Sequence, residues 1–225
     1  KIKIEPSLIL INSTIKTIHK DGFAIVIFIY ALLGISLKMK AIYRIAEFPF
    51  LSLLIYFTTL FFLQDLTQIR TGVAVGFIFF SFIALNEQKN IKFFLLILLA
   101  SLFHYSSLLF VISFFLNKER INKLLYLLIV FVPILLNISG HVFVDFLTSF
   151  NLGIYTEKLN DYIIAQSWLK EDINLFNFSI IFQLIMSIVF IFISEKAENR
   201  YAILFTKLFC IGIAIFYVFS FSPTL

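Results

Sequence analysis

Charge and sulfur are what this sequence has least of. Charged residues are 14% of the 225 and hydrophobic ones 61%, a balance that leaves a water-soluble domain too little polar surface to cover its core. The single cysteine, Cys210, excludes an internal disulfide and, lying in an apolar run, leaves the redox compartment unread. No repeat of fixed period and no low-complexity linker divides residues 1–225, so one transmembrane domain is expected. No signal peptide opens the chain and no Met begins it, so it is expected to be a piece of a longer protein. The surplus of five positive charges does not point to nucleic acid, because the basic residues sit in short loops between apolar runs, where they read as topology signals.

Apolar runs are what is abundant. With 31 Phe and a mean hydropathy of +1.01, runs near the ~20 residues that cross a bilayer as a helix recur along the chain. A membrane barrel would instead alternate over strands of about ten residues. The expected fold class is an all-α integral membrane protein, a polytopic helical bundle of about eight membrane segments. Residues 1–21 carry Leu8, Ile11, Ile15 and Ile18 on one helical stripe, with Asn12, Lys16, His19 and Lys20 on other faces, which suits an amphipathic helix lying in the interface. Spans are expected over Phe23–Leu37, Pro49–Leu63 and Ile69–Leu85, with Lys38, Lys40 and Arg44 in a basic loop and Gln64–Arg70 as a polar connection. Gly72 and Gly76 form a small-residue face on the third span, open to another backbone or a lipid. Leu124–Asn137, interrupted by Pro133, then Leu175–Ser194 and Tyr201–Phe221 complete the spans. A long acidic loop over residues 138–174 carries Tyr155, Tyr162 and Trp168, read as interfacial anchors in preference to sugar-stacking platforms.

The run Phe93–Leu116 reads either as one tilted helix or as a hairpin turning at His104-Tyr105-Ser106-Ser107. Loop charge arbitrates. The hairpin puts Lys38/Lys40/Arg44, Lys89/Lys92, Lys118/Arg120/Lys123 and Lys196/Arg200 on one side and the acidic loop on the other, as the positive-inside rule requires. Arms of about 12 residues reach only ~18 Å, the length of a short or re-entrant pair. Two ionisable residues then stand out, Arg70 at the mouth of one span and His104 at the turn of the next. Each is a functional-site hypothesis, set against a snorkelling arginine and a neutral histidine closing a helix turn.

The succession EPSLILINSTI, IRTGVAVGFIFFSFIAL, a basic loop and KFFLLILLASLFHYSSLLF resembles the EpsG/Wzy-like polysaccharide polymerases. That family shows an Arg-Gln-x-x-Ala span, then a Lys-Phe span ending Ala-x-x-Phe-His-x-Ser-Ala. The resemblance spans residues 5–117 and rests on Arg70, Ala74, Phe93, Ala100, Phe103, His104 and Ser106, with Thr71 in place of Gln and Ser107 in place of Ala. A further amino-terminal portion and a final Arg-bearing segment of the family are expected to lie outside this sequence.

The resemblance implies a bundle like the GT-C lipid-dependent glycosyltransferases, in the bacterial cytoplasmic (inner) membrane with its active site facing the periplasm. It would polymerise oligosaccharide repeat units carried on polyprenyl pyrophosphate into O-antigen or exopolysaccharide. The implied partners are that lipid-linked oligosaccharide, the lipid bilayer, a chain-length regulator and a flippase; no cofactor or metal is expected, and the outer loop shows no DxD signature. On this resemblance Arg70 binds pyrophosphate, since a guanidinium fork grips phosphate oxygens without a metal, and His104 is the catalytic group, a base or a hydrogen-bond donor. Gln68, Ser106, Tyr155 and Lys158 are candidate sugar or pyrophosphate contacts; Ser106 and Ser107 also read as caps of the second arm, and Tyr155 and Lys158 as a solvated loop face. A lipid-linked-sugar flippase and an O-antigen-ligase-like transferase are the rival classes.

Overall fold

The computed structural model describes residues 5–18, 22–138 and 177–219, and all regular structure among them is helical. The chain divides into two compact units, residues 1–116 and 117–225.

In the first unit, α1 (Pro6–Ile18) starts with proline at its first position, where the missing N–H would have had no partner, and the Glu5 carbonyl accepts from Leu8 N at 3.1 Å. Leu8, Ile11 and Ile15 pack on Val26, Tyr30 and Val73 as the stripe predicts, but Ile18 is exposed. The first span does not stop at Leu37. Helix α2 runs Phe23–Ile45, because Lys, Met, Ala and Arg in its last turns are good helix formers and nothing breaks them. Its buried stripe is Val26, Tyr30, Gly34, Lys38 and Ala41, so Lys38 belongs to the inner face of the helix and not to a basic loop. Helix α3 (Pro49–Tyr56) continues into a π-helical stretch, Phe57–Thr67. At the junction the Thr58 and Thr59 hydroxyls donate to the Leu54 and Ile55 carbonyls.

Helix α4 (Ile69–Asn86) lies parallel to α2. A Cβ built on Gly34 would stand 3.2 Å from the Gly72 carbonyl carbon, and one on Gly76 would stand 2.6 Å from Leu37 Cβ. The glycine face is therefore spent on a helix–helix contact inside the unit and not on lipid. A tight turn with Gln88 at φ 59° leads to α5 (Asn90–Phe103), which packs back on α4. His104 adopts extended backbone, φ −153° and ψ 116°, and a 3₁₀ helix (Tyr105–Phe115) follows. Phe114 returns onto Phe93 and Phe94, with ring centroids at 5.9 and 5.0 Å, so the chain reverses at His104. The arms of 14 and 11 residues are each ~21–22 Å long, short of the ~30 Å hydrocarbon core. Helices α2 and α4 are long and apolar enough to cross a membrane.

The second unit contains α6 (Lys123–Ile138), α7 (Phe178–Ile193) and α8 (Ala202–Phe219), packed around Val130, Ile191, Cys210 and Tyr217. Asn177 caps α7 through its side chain, accepting from Ile180 N at 2.9 Å. Lys207, 4% exposed, donates to the Asn117 and Arg120 carbonyls at 2.6 Å each, tying α8 to the loop before α6. Glu195 accepts from Ile121 N in the same loop at 3.2 Å.

Candidate functional site

Three helix ends converge in the first unit. The α4 start brings Arg70, the α5 terminus brings His104, and the α1 start brings Glu5. Tyr30 holds α1 in place: its hydroxyl donates to Ser7 Oγ at 3.0 Å and its ring meets Phe103 edge-on at 5.8 Å. Ser7 and Glu5 are thereby seated beside the α5 terminus.

Glu5 is the centre of the cluster. Arg70 Nη1 donates to Glu5 Oε2, and Glu5 Oε1 stands 3.6 Å from His104 Nδ1. The second separation is too long for a hydrogen bond, and it places the carboxylate where it would attract the imidazolium formed when His104 takes up a proton. Exposure sorts the roles, since the Glu5 side chain is 9% exposed while Arg70 and His104 keep 43% and 36%. A buried carboxylate facing two half-exposed nitrogen groups is a mount for them, and their outer faces are where a ligand would meet the site. A guanidinium carries five donors, so holding one carboxylate at Nη1 does not exhaust it for an anion.

Of the other expected site residues, Gln68 is exposed at the N-cap position of α4, where its carbonyl accepts from Gly72 N at 3.0 Å and its side chain makes no capping bond. Ser106 is exposed, and both Ser106 and Ser107 lie within the 3₁₀ helix. The cap position there belongs to His104, with no side-chain bond to it, and Ser107 Oγ is buried without a partner. Capping by these serines is thus not seen, because the arm winds tightly straight from the extended His104. Tyr155, Lys158 and the loop over 138–174 lie essentially outside the described residues.

Sequence reasoning passed over two sets of groups. Glu5 stood in the quoted motif, yet only the fold closes the 65 residues between it and Arg70. The second set is a buried triad. Lys38 Nζ donates to Asp65 Oδ1 and Oδ2 at 2.9 and 2.8 Å, Tyr56 OH donates to Asp65 Oδ2, and Lys38 and Asp65 are each 1% exposed. A signal for it existed: Lys38 continues the i, i+4 stripe of Tyr30 and Gly34, and Asp65 is the sole acidic residue between Glu47 and Glu87.

The model of the EpsG family matches residues 1–225, well past the 5–117 on which the resemblance rests. No curated protein and no solved structure matches the chain.

Proposed function

The chain belongs to the EpsG family, a polymerase-type membrane family of exopolysaccharide assembly, and from that premise we propose that it is a glycosyltransferase that polymerises oligosaccharide repeat units carried on polyprenyl pyrophosphate. The product is O-antigen or exopolysaccharide, made at the outer leaflet of the bacterial inner membrane by a bundle of about eight membrane segments. An acceptor hydroxyl attacks the anomeric carbon of the donor, the bond from that carbon to the pyrophosphate oxygen breaks, and the hydroxyl proton is taken up. Arg70 holds the departing pyrophosphate, whose negative charge grows in the transition state. His104 takes the proton; with Nδ1 turned to Glu5, Nε2 is the nitrogen we assign to the acceptor hydroxyl. Glu5 keeps both groups in place. Gln68 and Ser106, both exposed near them in sequence, are sugar contacts in this scheme, as are Tyr155 and Lys158 of the outer loop.

The observation that carries the reading is the pairing of the half-exposed Arg70 and His104 on one buried carboxylate. The charge layout supports the side. Lys89 and Lys92 sit at the far ends of α4 and α5 from Arg70 and His104, and the exposed Lys40 and Arg44 close α2 at that same far end, beside Glu87. A basic end faces the cytoplasm, which turns Arg70 and His104 outward.

A glycan ladder from cells carrying or lacking the gene tests the function. A polymerase null leaves single repeat units on the final acceptor, whereas a null that leaves no units there would make the protein a flippase or a ligase and defeat the proposal.

A further inference from the structure

We propose that Lys38, Asp65 and Tyr56 are positioning residues for Arg70, a clamp in the apolar interior that sets where the first turn of α4 presents its guanidinium. The inference rests on the reading of Arg70 as the pyrophosphate ligand. It begins with a difficulty of stability: a buried ion pair gives back in Coulomb energy little more than it loses in desolvation, and apolar residues of similar volume often serve equally well. Three polar groups at this depth therefore answer to something other than stability, and an ionisable residue inside a membrane segment is by default functional.

Position supplies the answer. Asp65 lies on the π-helical stretch Phe57–Thr67, five residues before Arg70 and three before the α4 cap Gln68. A π-turn is wider than an α-turn, and π-helical turns recur at functional sites because they re-aim the residues that follow. Winding by itself does not fix how far such a stretch slides along its neighbour. Here Asp65 is held from both sides, by Lys38 of α2 through both carboxylate oxygens and by Tyr56 at the end of α3, with the Lys38 ammonium 5.3 Å from the Tyr56 ring centre. Gly34 provides the seat. A Cβ there would stand 2.8 Å from Asp65 Oδ1 and 3.2 Å from the Gly72 carbonyl carbon, two residues past Arg70. The clamp carboxylate and the start of α4 thus crowd the same point of this glycine, so the position of Asp65 and that of the turn that bears Arg70 are set against one seat.

The test uses the full-length protein in membrane vesicles and has two arms. In the first, the exposed Thr67 is changed to Cys and its rate of reaction with a water-soluble maleimide is measured against the parent without that change; Cys210, the one thiol of residues 1–225, is fully buried, and the parent's own labelling is subtracted as background. Asp65→Asn, Gly34→Ala and the charge-free double variant Lys38→Met with Asp65→Leu should each change that rate at least about threefold. The double variant leaves no orphaned charge and guards against simple misfolding. The second arm measures chain growth on a lipid-linked repeat unit. Asp65→Asn should raise the KM for the donor about tenfold, a change in binding free energy of about 1.4 kcal/mol, with a smaller change in kcat. In an Arg70→Ala background it should add no further loss, because the two act as one unit. Losses that multiply, or lost activity at an unchanged Thr67→Cys rate, would overturn the clamp. Should Arg70→Ala alone leave chain growth intact, the pyrophosphate reading fails, and the labelling arm still decides whether the triad positions α4.

Discussion

Arginine and lysine differ at position 70 in geometry and not in charge, and that difference separates a phosphate ligand from a membrane anchor. Arg70→Ala removes charge and fork together and should slow chain growth by about 100-fold or more, the scale of losing one preorganised donor to developing charge. Arg70→Lys keeps the charge, loses the bidentate grip and should still be clearly impaired. A snorkelling residue predicts full rescue by Lys, so long glycan chains from an Arg70→Lys strain at normal protein level would leave Arg70 as an anchor. Glu5→Gln retains an acceptor for Arg70 but presents an amide in place of the charge shared with His104. It should cost roughly tenfold in chain growth, about 1.4 kcal/mol, read from the same ladder; wild-type chain lengths would show that Glu5 only anchors α1. Arg70 and His104 were legible in the sequence because each is ionisable in apolar surroundings. Glu5 was not, because a carboxylate just before Pro6 looks like any helix start until α1 is docked.

Helix contacts explain why small residues recur where they do. Gly76→Ala places a methyl 2.6 Å from Leu37 Cβ, an atom fixed to the α2 backbone, so the helices must part; overpacking of this kind costs about 1–3 kcal/mol. Melting in detergent should show it, and an unchanged melting temperature would mean that α2 and α4 are not held this closely. The spacing of Gly72 and Gly76 announced a close approach, but only the fold shows that the partner is α2. Loops carry a second prediction. The Glu195 carboxyl is held below its ordinary value near 4.5, first by the Ile121 amide that it accepts from and then by Lys123 and Arg120 nearby. A depressed carboxyl favours the folded loop above its unfolded pKa, and that support is lost as pH falls through the lower folded value. Exchange of the Ile121 amide, corrected for intrinsic rate, should therefore stay slow down to about pH 5 and speed up below pH 4.5; Glu195→Gln should remove most of that pH dependence.

Across the molecule, loop charge carries the proposed topology, and one of its counters has moved. Lys38 is paired inside the bundle and contributes nothing to a loop, which leaves Lys40, Arg44, Lys89 and Lys92 to mark the basic end of the first unit. The proposed orientation rests on those four. A cysteine at Tyr155 should react with an impermeant thiol reagent from outside, and one at Lys89 or Lys118 should not. Labelling at Lys118 with protection at Tyr155 would remove the proposed outward-facing site.

By itself the sequence determined the helical class, the break at His104 and, among the described residues, most helix ends to within a few positions. Hydropathy sums locally, and in lipid only structures that satisfy every backbone group internally persist, so apolar runs of this length have one option. Even the extent of α2 was readable in principle from its helix-forming tail. What only the tertiary structure decided is which polar groups meet. Glu5 reaches Arg70 across 65 residues, and Lys38 reaches Asp65 across 27. Those pairings depend on how α1, α2 and α4 dock, through the Tyr30–Ser7 bond and the clearances at Gly34 and Gly76. A charge in a sequence shows only that it must find a partner or water; the packing of helices chooses which.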